Sequence, residues 1–100
     1  MKLVIKQERN PFIFSLIGRL DTNTSPQLES FIVERYAKEV GDIVVDMSEC
    51  DFVSSAGLRV IVTMCKHAAV NGDQLIFRDV QPEVMDIFTV TGFDSILTIE

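Results

Sequence analysis

Two adjacent serines, Ser54 and Ser55, sit in the stretch "DFVSSAGLRVIV" between an apolar strand-like run and an apolar helix-like one. Three chemistries suit hydroxyls in such a place: capping a helix, attacking a substrate, or receiving a phosphoryl group. As the last residue before a helix, a serine satisfies an orphan backbone N–H, worth roughly 1 kcal/mol. A nucleophilic serine needs a general base and an oxyanion site within hydrogen-bond reach. The chain has no G-x-S-x-G elbow and no S-x-x-K pair. Its single histidine, His67, falls about three turns beyond Ser55 on a continuous helix. A phosphoserine carries close to two negative charges, is tolerated beside a helix N-terminus, and changes the surface a partner must desolvate. Capping and accepting are compatible; the nucleophile lacks its base.

Neighbouring residues extend the candidate site. Arg59, four residues after Ser55, is placed either to pair with a phosphate there or to stand in solvent. Ala56, Val60 and Met64 form an apolar stripe on the same helix, covered by the sheet or a neighbouring helix, or else partly open to a partner. Asp21, Thr22 and Asn23 form a polar turn, read as turn chemistry with a helix cap or as a rim near the same edge. Cys50 lies next to Asp51 with no C-x-x-C and no basic neighbour, the setting of a buried structural thiol. Two cysteines and one histidine cannot assemble a four-ligand zinc site, and no G-x-x-x-x-G-K cradles a phosphate. Neither a metal nor a cofactor is expected.

The elements that must hold these residues follow from periodicity. "KLVIKQE" and "FIFSLIG", separated by "RNP", read as an N-terminal hairpin. A helix is expected from about Pro26 to Glu39, with Thr24 and Gln27 resembling a capping box and Gly41 as the stop. "DIVVDM" reads as a strand buried on both faces. A second helix carries Leu58, Ile61, Val62, Cys65 and Ala69 inward and ends at Asn71-Gly72. "QLIFRDV" supplies a strand, Pro82 to Gly92 a shorter helix, and "SILTIE" a last short strand. The order β-β-α-β-α-β-α-β implies a mixed, mostly parallel central sheet flanked by helices, an α/β fold with an antiparallel N-terminal hairpin. Both "GRLDTNTSP" and "CDFVSSAG" are then strand-to-helix turns at the carboxyl edge of the sheet, where ligands and partners meet such folds.

Bulk properties narrow the class. One hundred residues suffice for a single domain and no linker or repeat divides them, so residues 1–100 are expected to form one unit. Fifteen acidic against nine scattered basic residues give a net charge of −6, which argues against nucleic acid and against an anionic membrane surface. No segment approaches the ~20 apolar residues of a membrane span, and the N-terminal apolar run is too short for a signal sequence. A cytoplasmic protein without membrane insertion is the expectation.

With these segments in view, the chain resembles the STAS domain family, in particular its stand-alone bacterial anti-sigma factor antagonists. The resemblance runs through "LIGRLDTNTSPQLESFI", "IVVDMSECDFVSSAGLRVIV" and "VQPEVMDIFTVTGFDSILTI" and so covers nearly the whole chain. It implies the STAS fold and a partner-switching role without catalysis. The unphosphorylated domain binds an anti-sigma factor that is also an ATP-dependent serine kinase, phosphorylation releases it, and a metal-dependent serine phosphatase restores it. The family pattern puts the acceptor at Ser55, with Ser54 in the place of a frequent Asp and Ala56 in that of a second hydroxyl residue. Asp21 matches the family's Asp in the first strand-to-helix loop. Thr22, Asn23, Ser54, Ala56, Arg59, Val60 and Met64 complete the expected partner surface. The alternative is a STAS subunit of a transport or stress-signalling scaffold that does not use serine phosphorylation.

Overall fold

In the computed structural model, which describes residues 1–100, β1 (Lys2–Gln7) and β2 (Phe12–Leu20) form the antiparallel hairpin. Helix α1 (Ser25–Ala37) follows, then β3 (Ile43–Asp46), β4 (Cys50–Val53), α2 (Ser55–Asn71), β5 (Leu75–Arg78), α3 (Pro82–Thr91) and β6 (Thr98–Ile99). A single 3-10 turn, Phe93–Ser95, links α3 to β6. The sheet has six strands in the order β1-β2-β3-β5-β6, with β4 attached to β2. Every pairing except the first hairpin is parallel.

The added strand corrects the sequence reading, in which Cys50–Val53 belonged to a turn. Strand β2 is nine residues long and outruns β3: Phe12–Ser15 pair with β3, while Gly18–Leu20 pair with β4 along the same edge. Between the two the chain jogs at Met47, Ser48 and Glu49. Four residues carry too little pattern to announce a strand, and their partner lies some thirty positions away.

Buried apolar residues from all three helices enter one cluster. Leu28, Ile32 and Tyr36 of α1, Leu58, Ile61 and Met64 of α2, and Val84 and Phe88 of α3 meet Phe12, Phe14, Ile43, Val45 and Phe77 of the sheet. Side chains of the other strand parity, such as Val44, lie outside that cluster, so the helices cover one face of the sheet. Val44 is nonetheless only 2% exposed, which leaves Ile43–Val45 buried throughout.

Helix ends fall close to their sequence signals. Gly72 closes α2 in the left-handed region at φ 73°, where its N–H and that of Asp73 reach the carbonyls of Ala69 and Ala68. Helix α3 begins at Pro82 and is followed by Gly92, as expected. The Thr24–Gln27 capping box does not form. The Thr24 hydroxyl instead accepts from Asp21 N–H at 2.8 Å and donates to the Arg19 carbonyl at 2.8 Å, closing the loop before the helix. No helix is long and apolar enough to cross a membrane.

Candidate functional site

Parallel pairing of β2 with β4 sets two loops side by side. Leu20 is in register with Val53, and Ser54 N–H donates to the Leu20 carbonyl at 2.8 Å, so the Asp21 turn and the start of α2 leave the sheet together. Gly57 lets the helix sit that close. A Cβ there would lie 2.7 Å from Leu20 Cγ and 3.0 Å from the Leu20 carbonyl oxygen, nearer than real contacts permit.

The serine pair is divided by this seating. Ser54 is extended at φ −86°, ψ 173°, and its hydroxyl oxygen accepts from Gly57 N–H at 3.2 Å. It is the N-cap. Ser55 is the first helical residue, exposed, and its hydroxyl enters no hydrogen bond within the chain.

Asp21 organises the neighbouring loop. Its carboxylate accepts from Asn23 N–H at 3.0 Å and Thr24 N–H at 3.1 Å, while its carbonyl accepts from Ser25 N–H at 2.8 Å and from the Ser25 hydroxyl. The two donors to the carboxylate, the Thr24 N–H foremost and then the Asn23 N–H, hold its pKa below the usual carboxylate value against the opposing effect of desolvation. Arg19 adds a further charge: its Nε stands 3.7 Å from Asp21 Oδ2, and its guanidinium lies 4.3 Å over the Phe52 ring.

A shallow cleft of about 290 Å³ opens beside Ser55. Thr22, Pro26 and Glu29 wall it from the α1 side, and Ala56, Arg59 and Thr63 from α2. The structure thus gathers Asp21, Thr22, Asn23, Ser54, Ser55, Ala56 and Arg59 at one edge of the sheet. Met64 is not among them. It is fully buried and joins the core, and Val60 is only 6% exposed, because α1 packs over that side of α2. The apolar stripe is therefore a helix–helix contact, open only at Ala56.

Arg19, Phe52 and Glu29 belong to this surface and escaped the sequence reading. The alternation in "GRLD" puts Arg19 and Asp21 on one side of the strand end, a signal for that pair alone. Phe52 and Glu29 arrive through strand and helix pairing.

Other reactive groups are elsewhere. Helix α2 is continuous, so His67 lies about 18 Å along it from Ser55, and its ring stacks on Tyr36 with centroids 5.1 Å apart. Cys50 is fully buried, and burial pushes its thiol pKa up, as it does for the half-buried Cys65. No three His, Cys, Asp or Glu side chains converge as a metal-holding group. A larger cleft, about 540 Å³, lies at the hairpin turn, where Arg35 and Lys38 meet Arg9, at the opposite end of β2 from Leu20.

The family model described as STAS domain matches residues 2–100. BtrV of Bordetella bronchiseptica, named as an anti-sigma factor antagonist, is 29% identical over 99 residues, covering 99% of this chain and 85% of its own. A crystal structure of an anti-sigma factor antagonist from Mycobacterium paratuberculosis superposes with a TM-score of 0.82 at 21% identity, over 98% of this chain and 83% of that one. The antagonist SpoIIAA shares the fold in both of its solved forms. The unphosphorylated form gives a TM-score of 0.74 at 15% identity over 99% and 86% of the two chains. The phosphorylated form, from Bacillus, gives 0.73 at 15% over 99% and 89%.

Proposed function

The chain belongs to the STAS domain family, and on that premise we propose that it is a cytoplasmic anti-sigma factor antagonist working by partner switching, with Ser55 as its phosphorylation site. The observation that carries this reading is the division of the serine pair: Ser54 is engaged by Gly57 N–H, while Ser55 offers a free, exposed hydroxyl beside the Asp21 loop. The names of BtrV and of SpoIIAA, the latter solved with and without phosphate, support it.

The unmodified domain docks through the edge formed by Asp21, Thr22, Asn23, Ser55, Ala56 and Arg59 on an anti-sigma factor that carries ATP. The Ser55 oxygen takes the γ-phosphoryl group, its proton passes to a base on the partner, and ADP leaves. All catalytic groups sit on the partner; this chain supplies the acceptor. The Asp21 carboxylate, engaged by the N–H groups of Asn23 and Thr24, fixes the loop beside the acceptor and shapes the docking edge. A dianion at Ser55 then confronts a groove fitted to a neutral serine and must be desolvated at a cost of several kcal/mol, so the complex parts. A serine phosphatase resets the domain.

Incubation with the cognate kinase and ATP should place one phosphate on Ser55 and none on Ser55→Ala, read by intact mass and peptide mapping. A Ser55→Asp variant should fail to retain the partner in pull-down. Undiminished binding by Ser55→Asp, with full cellular function of Ser55→Ala, overturns the switch in favour of a scaffold subunit indifferent to this serine.

A further inference from the structure

We propose that Arg59 is the internal counter-ion of phosphorylated Ser55, folding back one helical turn to hold the phosphate against its own helix. The inference rests on Ser55 as the acceptor and concerns what becomes of the phosphate once it is there.

Ser55 and Arg59 stand four residues apart on the continuous helix α2, a spacing that brings their Cβ atoms to about 6 Å. Both are exposed, and Arg59 makes no ion pair in the unmodified chain. It is also the only cation lining the cleft beside Ser55, where it faces a single carboxylate, Glu29. The other cation at this edge, Arg19, is held between Asp21 and the Phe52 ring. A phosphate on Ser55 therefore enters an acidic neighbourhood, with Glu29 across the cleft and Asp21 in the adjoining loop, on a chain of net charge −6. One mobile guanidinium is in reach, and its planar fork matches two phosphate oxygens at once.

Two consequences follow for the switch. The clamp offsets part of the repulsion that the dianion would impose on the Asp21 loop and on Glu29, so the phosphorylated fold persists. It also lays the Arg59 side chain over the mouth of the cleft, withdrawing from the partner a cation that the unmodified domain presents. Phosphorylation then acts on docking twice, by adding charge and by recruiting Arg59.

The test uses the full chain with phosphoserine installed at position 55 during translation, so that no kinase is needed. The 31P resonance is titrated with pH in the otherwise wild-type chain and in Arg59→Ala, Arg59→Lys and Glu29→Gln backgrounds, with 1H–15N spectra reporting the fold of each. Loss of the paired cation should raise the midpoint of the phosphate's second ionisation by about 0.3 pH units or more in Arg59→Ala. Lysine should restore part of the shift, Glu29→Gln should lower the midpoint, and high salt should shrink the differences. Coincident titrations of the wild-type and Arg59→Ala chains overturn the clamp while leaving the partner switch standing. A kinase that ignores Ser55 overturns the switch while leaving this titration readable.

Discussion

At the scale of single residues, two adjacent hydroxyls differ because one faces a backbone donor and the other does not. Ser54 accepts from Gly57 N–H, so Ser54→Ala should lower stability by about 1 kcal/mol in urea unfolding while leaving the Ser55 hydroxyl free. Ser54→Asp should hold stability within a few tenths of a kcal/mol, since aspartate caps as well as serine and its charge suits a helix N-terminus. A loss in Ser54→Asp as large as that in Ser54→Ala would refute the capping assignment. The pair was legible from residue types alone, but its division was not. Which serine caps depends on where Leu20 stops the helix start, and that contact spans more than thirty residues.

At the scale of elements, the site exists because β2 outlasts β3 and gives its remaining edge to β4. Gly57 is the hinge of that arrangement: a methyl group there meets the Leu20 carbonyl, which also receives Ser54 N–H. Gly57→Ala should destabilise the domain by about 1–3 kcal/mol and disturb the Asp21 loop, visible as shifted Asn23 and Thr24 amide signals. Wild-type stability with unmoved loop amides would show that the helix seats elsewhere. The periodicity of α2 marked Leu58 and Ile61 correctly but also set Val62, Cys65 and Ala69 inward, of which the first two are half-buried and Ala69 is exposed, while Val60, Met64 and Ala68 take the buried places instead. A helical wheel has no knowledge of its neighbours.

At the scale of the whole molecule, the carboxylates tie stability to pH. Asp21 lies below its ordinary value through the N–H groups of Thr24 and Asn23. Glu34 is lowered chiefly by Lys38 and then Arg35. Desolvation opposes the shift at Asp46, but hydrogen bonds from Ser48 and Ser15 outweigh it. A group whose pKa is depressed by folding stabilises the fold above its unfolded pKa and loses that contribution as pH falls through the folded one. The melting temperature should therefore fall as pH drops below about 4, and Asp21→Asn should flatten that slope. A slope unchanged by Asp21→Asn would mean that the loop bonds persist when the acid is protonated.

Local signals in the chain determined the order of helices and of every strand but β4, the glycine and proline stops, the acidic charge, and the serine pair at the start of a helix. These depend on side-chain period, backbone freedom and charge, all of which act over a few residues or in the sum. Tertiary structure alone decided that Cys50–Val53 is a strand, that Arg19, Phe52 and Glu29 join the site, that Met64 leaves it, and that Ser54 caps while Ser55 stays free. Each of these is a pairing between distant segments, settled by which backbone edge is left unpaired and which apolar side another helix covers.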